Sequence, residues 1–211
     1  MKKYGIIFLA LLIALPATSQ GRRYKKKMLQ GIEAMDQASS PEEVEACVEQ
    51  FDKIAGKYPD QWLPYYYAAH ILTTHTLGEQ DISKGDERLD RAQVYLDSAM
   101  SLAPGESEVH VLNALHIIAR LSLDPYTRGQ FYYNDLIAAL QEAENLNPEN
   151  PRVYYLNGML TLNTPYEMGG GDMAAKPLFQ KAAEKFSGFD PEDPLWPSWG
   201  ADLNQQELDK L

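Results

Sequence analysis

AQVYLDSAMSLAP, residues 92–104, decides how the rest of the chain reads. Ala92, Leu96 and Ala99 stand at i, i+4 and i+7, one stripe of an α-helix, and Pro104 follows five residues after Ala99. Small residues on such a stripe let a neighbouring helix approach closely, Leu96 fills the space between them, and the proline stops the helix.

The same grammar returns three times. Cys47, Phe51, Ile54 and Pro59 hold the four places upstream, Leu136, Leu140, Ala143 and Pro148 downstream, and Ala175, Phe179 and Ala182 close the series without a proline. The large central residue recurs after 45, 44 and 39 residues. A second pattern follows each proline at fixed offset: Tyr65, Ala68, Ala69 and Leu72; then His110, Asn113, Ala114 and Ile117; then Tyr154, Asn157, Gly158 and Thr161. With its aromatic, its small pair, its Ala-Phe-Ala stripe and its proline, this resembles the tetratricopeptide (TPR) pattern over Pro41 to Gly188. The units exceed the usual length of about 34 residues. The surplus is assigned to loops inside each unit, near Leu77–Gly85, Ser122–Gln130 and Asn163–Gly171. The expected fold is all-α, a TPR-like stack of antiparallel helix pairs (an α-solenoid) with long intra-repeat loops.

Lys2 and Lys3, the apolar run Ile6–Leu15 and Ala17-Thr18-Ser19 read as a signal peptide over residues 1–19. Its apolar run is shorter than the roughly 20 residues that span a bilayer, so no transmembrane segment is expected after cleavage. Residues 20–40 read as a basic N-terminal helix, 41–188 as the repeats, and 189–211 as a C-terminal tail that caps the last helix. A periplasmic or secreted location follows from the leader, although the cluster Arg22, Arg23, Lys25, Lys26 and Lys27 just behind it opposes translocation. The net charge of −11 argues against nucleic-acid partners. Cys47 is the only cysteine, so no intramolecular disulfide staples the fold, and its place on a stripe predicts burial.

The TPR resemblance implies that the first helix of each pair lines a concave face. It places there Tyr66, His70, Thr73 and Thr74, then Glu108, Val111, Leu115 and Ile118, then Arg152, Tyr155, Met159 and Asn163. This set lacks the lysines and asparagines with which some TPR domains clamp a C-terminal carboxylate. A second candidate is the loop Gly169, Gly170, Gly171 and Asp172, where glycine permits positive φ and Asp172 is placed to cap the next helix. That loop also bears a weaker, local similarity to periplasmic TPR components of TRAP-type transporters.

Metal and catalytic chemistry find no foothold. His70 and His75, and His110 and His116, are spaced five and six apart, off a shared helix face, and no His-Glu-x-x-His occurs. Asp81, Asp86 and Asp90 lack the alternation of a calcium loop, and no nucleophile elbow surrounds any serine. Neither cofactor, metal nor enzymatic activity is expected. The leading reading is an envelope scaffold that binds a protein or peptide through its concave face and loops. The alternative is a solute-binding accessory of a transporter, with a small-molecule pocket.

Overall fold

The structure, a computed structural model, describes residues 17–191 and 193–211. Residues 1–16 of the expected leader lie outside the described residues. Among the described residues there are nine α-helices and no strand: α1 (Ala17–Gln37), α2 (Pro41–Lys57), α3 (Trp62–Thr74), α4 (Ile82–Leu102), α5 (Ser107–Leu123), α6 (Pro125–Leu146), α7 (Pro151–Leu162), α8 (Asp172–Ser187) and α9 (Ala201–Lys210). The all-α expectation holds. Successive helices pair most extensively as α3 with α4, α5 with α6 and α7 with α8, while α3, α5 and α7 lie side by side in a row.

Start and stop signals in the sequence account for these boundaries. Ser40 caps α2 through a reciprocal capping box with Glu43, and Pro41 takes the first helical position. Asp124-Pro125 and Asn150-Pro151 repeat the device, each cap side chain accepting a first-turn backbone N–H. At the other end α2, α4 and α6 stop at Lys57, Leu102 and Leu146, each two residues before its proline. In two of the three cases the residue six beyond that proline then reaches back. His110 Nε2 lies 2.9 Å from the Pro104 carbonyl, and the Tyr154 hydroxyl donates to the Pro148 carbonyl at 2.8 Å. In those two repeats the tie holds the entry angle of the next helix.

Every stripe faces inward. Ala92, Leu96 and Ala99, Cys47, Phe51 and Ile54, Leu136, Leu140 and Ala143, and Ala175, Phe179 and Ala182 are all buried. Their small partners allow close crossings. A Cβ added at Gly158 would stand 2.6 Å from the Phe179 ring, and one at Gly31 would stand 2.8 Å from Phe51. Burial also raises the pKa of the Cys47 thiol, as its stripe position predicts.

The connections differ from expectation in two places. Ser122–Gln130 is not a loop: α5 ends at Leu123, α6 begins at Pro125, and Asp124 alone turns the corner. The surplus length there lies in α6, because Asp-Pro supplies a cap and a first helical residue together. Gly85 likewise belongs to α4, where its missing side chain makes room for Leu123. The loop over 163–171 is present, and holds a single 3-10 turn at Tyr166–Met168.

Candidate functional site

Helices α3, α5 and α7 present the predicted concave residues to one another, but not to solvent. Tyr66, Thr73, Val111 and Arg152 are completely buried, and His70, Glu108, Leu115 and Tyr155 nearly so. Thr74, Ile118 and Met159 are half-buried, and only Asn163 is exposed. The chain's own tail covers this face. Among the described residues of 189–200 there is no helix, since prolines 191, 194 and 197 remove donors and fix φ. Asp193–Trp196 instead makes a turn closed by the Trp196 N–H on the Asp193 carbonyl at 2.9 Å, and the segment runs on across the groove to Trp199. The Tyr67 hydroxyl donates to the Leu195 carbonyl at 2.8 Å, and Arg152 Nη2 donates to the Pro197 carbonyl at 2.6 Å. Trp199 donates its indole N–H to the Tyr66 hydroxyl and lies against His70, while Trp196 meets Trp62 edge-on. Sequence reasoning put this tail over α8. The part that does so is α9, whose Asn204 donates to the Phe179 carbonyl.

Arg152 is the node of the groove. Its Nη1 bonds Glu108 Oε1 at 2.9 Å, and its guanidinium lies over the rings of Phe189, Trp199 and Phe186 at 4.8, 5.2 and 5.8 Å. Asn150 supports the acid by donating to the same Glu108 oxygen. Burial pushes the Glu108 carboxyl above the usual carboxylate range, with Arg152 and Asn150 opposing it. His70, stacked between Tyr66 and Trp199, has its pKa lowered to about 3 by burial and by the nearby Arg152 charge, so it is neutral at ordinary pH. Among the described residues neither of its nitrogens has a hydrogen-bond partner, and Glu108 Oε2 and Arg152 Nε are unpartnered too.

The other flagged residues resolve into structural roles. Asp81 caps α4, Asp86 is held by Arg128 at 2.7 Å, and Asp90 by Arg120 at 2.8 Å. The guanidinium of Arg128 holds the Asp86 carboxyl below the usual range. No group of three or more metal-ligating side chains forms among the described residues. In the glycine loop, Gly169 and Gly171 have φ of 86° and 91°, and the Tyr166 ring lies where a Gly171 side chain would be. Asp172 is the first residue of α8 and not its cap; Gly171 occupies the cap position without a side chain to bond.

A feature that sequence periodicity missed lies at the connections that leave the row. The α5–α6 corner and the α7–α8 loop each follow a helix of the central row. Tyr126, Phe131 and Tyr133 emerge from the first turns of α6, and Tyr166, Met168 and Met173 from the loop and the start of α8. All six are exposed, Tyr126 completely. Large apolar side chains held in water are candidates for a binding surface where they adjoin one another. The signal was present in the sequence as an aromatic run placed off the buried stripe.

No protein-family model matches the chain, and no curated protein does. Among solved structures, the HusA haemophore from Porphyromonas gingivalis aligns with a TM-score of 0.79 at 30% identity, covering 90% of this chain and 92% of that one. The chain belongs to the HusA haemophore family. A family member is thus a binding protein built on helices, and no described helix is long and apolar enough to cross a membrane.

Proposed function

We propose that this HusA-family protein is a haem carrier of the cell envelope, built on a TPR-like scaffold and without catalytic activity. The observation that carries the reading is the likeness to a haemophore over 90% of this chain, with the exposed side chains Tyr126, Phe131, Tyr133, Tyr166, Met168 and Met173, together called the rim, as the candidate haem contacts. A porphyrin is a large flat apolar ring. Aromatic side chains stack on its face, and thioether and phenol groups are among those that ligate haem iron. The leader-like N-terminus with Lys2, Lys3 and Ile6–Leu15 supports an envelope or secreted location. This reading places the small ligand of the transporter-accessory alternative on the rim, and it ranks ahead of a scaffold with an open concave groove. That groove is filled by residues 193–199.

Titration of the full-length protein with haemin tests it. A shifted Soret band with saturable quenching of tryptophan fluorescence is expected. The triple variant Tyr126→Ser, Phe131→Ser, Met168→Ser should bind at least about tenfold more weakly while melting at the same temperature. An unshifted Soret band would remove the haem reading, and unaltered binding by the triple variant would remove the rim.

A further inference from the structure

The tail is held as a bound peptide is held, and not as a helix packs. Two side chains on different helices, Tyr67 and Arg152, donate to the backbone carbonyls of Leu195 and Pro197, two residues apart in the tail. Backbone carbonyls belong to any chain, and here the turn closed by the Trp196 N–H on the Asp193 carbonyl presents them, so this grip recognises conformation before sequence. Sequence is read by flat slots: Trp196 meets Trp62 at 5.9 Å between ring centres, and Trp199 meets His70 at 5.2 Å and bonds the Tyr66 hydroxyl. The fit is incomplete among the described residues. Glu108 Oε2, Arg152 Nε and both nitrogens of His70 are buried at this seam with no hydrogen-bond partner among them. Buried polar groups in a permanent core are almost always satisfied. A surface that leaves several unsatisfied in one place fits a replaceable occupant better than a fixed one.

We propose that the concave groove is a recognition site for a proline-containing, turn-forming partner peptide with two aromatic residues three apart, and that Asp193–Trp199 occupies it in cis as a stand-in. Linkage in one chain gives the tail a high effective concentration, so an outside peptide competes poorly until the tail is loosened. The site is separate from the haem-binding rim and stands or falls without it.

The probe is a fluorescein-labelled peptide of sequence DPLWPSWG, copied from residues 193–200. In fluorescence anisotropy, the full-length Trp199→Ala protein should bind it at least about tenfold more tightly than the wild type, because the cis competitor has lost its anchor. Adding Tyr67→Phe, which removes the donor to the Leu195 carbonyl, should weaken that binding again. Equal binding to wild type and Trp199→Ala, or binding to neither, overturns the proposal. A second measurement needs no variant: in the wild-type chain, excess unlabelled peptide should raise hydrogen exchange within the tail segment, 193–200. Unchanged exchange at saturating peptide overturns it equally, whether or not Trp199→Ala folds.

Discussion

The Trp199 indole N–H donates to the Tyr66 hydroxyl at 2.9 Å, joining the tail to α3 across 133 residues of sequence. The bond closes a ring stack in which His70 lies between Tyr66 and Trp199, with Arg152 beneath the indole. The tail is therefore a component of the folded core as well as the occupant of its groove. Leu195 is 3% exposed and belongs to the main apolar cluster.

Truncation before Phe189 should consequently lower stability sharply, since it exposes the groove and also removes α9 from α8. The single variant Trp199→Ala should cost about 2–4 kcal/mol, below the usual range for a wholly buried tryptophan because the ring is only half-buried. Trp199→Phe keeps the stack, loses the bond to Tyr66, and should cost about 1 kcal/mol. Urea denaturation followed by far-UV circular dichroism separates the three. A truncated chain with an unchanged midpoint would show that the tail contributes nothing to the fold.

Helix crossings give a second expectation, and it runs against helix propensity. Gly158→Ala in α7 should gain nearly 1 kcal/mol from propensity alone. Instead we expect a net loss of about 1–3 kcal/mol, because the added carbon would lie 2.6 Å from the Phe179 ring. Ala99→Phe, at a fully buried site on the founding stripe, should lose at least as much. Asp97→Ala, exposed and bonded only to Gln93, should stay within about 0.5 kcal/mol. Denaturation midpoints in one buffer rank the three, and an unchanged or raised midpoint for Gly158→Ala would show that the crossing can relax.

Those crossings were legible because a helix repeats its face every few residues, so burial at Ala92, Leu96 and Ala99 imprints a period on the sequence. The Asp124 corner was legible in principle too. Asp124-Pro125 uses the same pair of signals as Ser40-Pro41 and Asn150-Pro151, but the surplus length of the repeat points to a loop at the same place. The path of the tail was not legible. Its prolines exclude helix yet give no period, and its partners Tyr66, Tyr67 and Arg152 lie in distant repeats. A concave set containing both Glu108 and Arg152 was predicted, while their pairing at 2.9 Å depends on the close approach of α5 and α7.

That pairing supplies a third expectation. Arg152→Met leaves Glu108 buried without its counter-charge and frees the Pro197 carbonyl, and should cost about 3–5 kcal/mol. Arg152→Lys retains charge but cannot reach the acid and the carbonyl at once, so it should rescue only part of the loss. The double variant Arg152→Met, Glu108→Gln should recover much of the stability by removing the stranded acid. If it is as unstable as Arg152→Met alone, the destabilisation comes from lost packing of the guanidinium on Phe189 and Trp199, and the ion pair is incidental.

Acid should unfold this protein through its buried histidines before its surface carboxylates titrate. His70 and His116 have pKa values lowered to about 3 and about 4, in each case chiefly by burial, against an unfolded value of 6.5. The unfolded chain therefore takes up protons that the folded chain refuses. Stability from these two groups is fully present above pH 6.5 and is lost progressively as pH falls toward their folded values. Between pH 6.5 and 5 the pair should remove on the order of 2–3 kcal/mol. Glu108 opposes the trend, since its raised pKa makes the folded state the better proton acceptor as the carboxylate range is approached. His70→Phe isolates the effect. It keeps a flat ring between Tyr66 and Trp199, and it removes two buried nitrogens that have no partner among the described residues, so its loss at pH 7 should be small. Its advantage over the wild type should then grow on acidification, most visibly as a shallower decline in urea midpoint from pH 6.5 to 5. Parallel declines for wild type and His70→Phe would mean that His70 is hydrated and protonates in place.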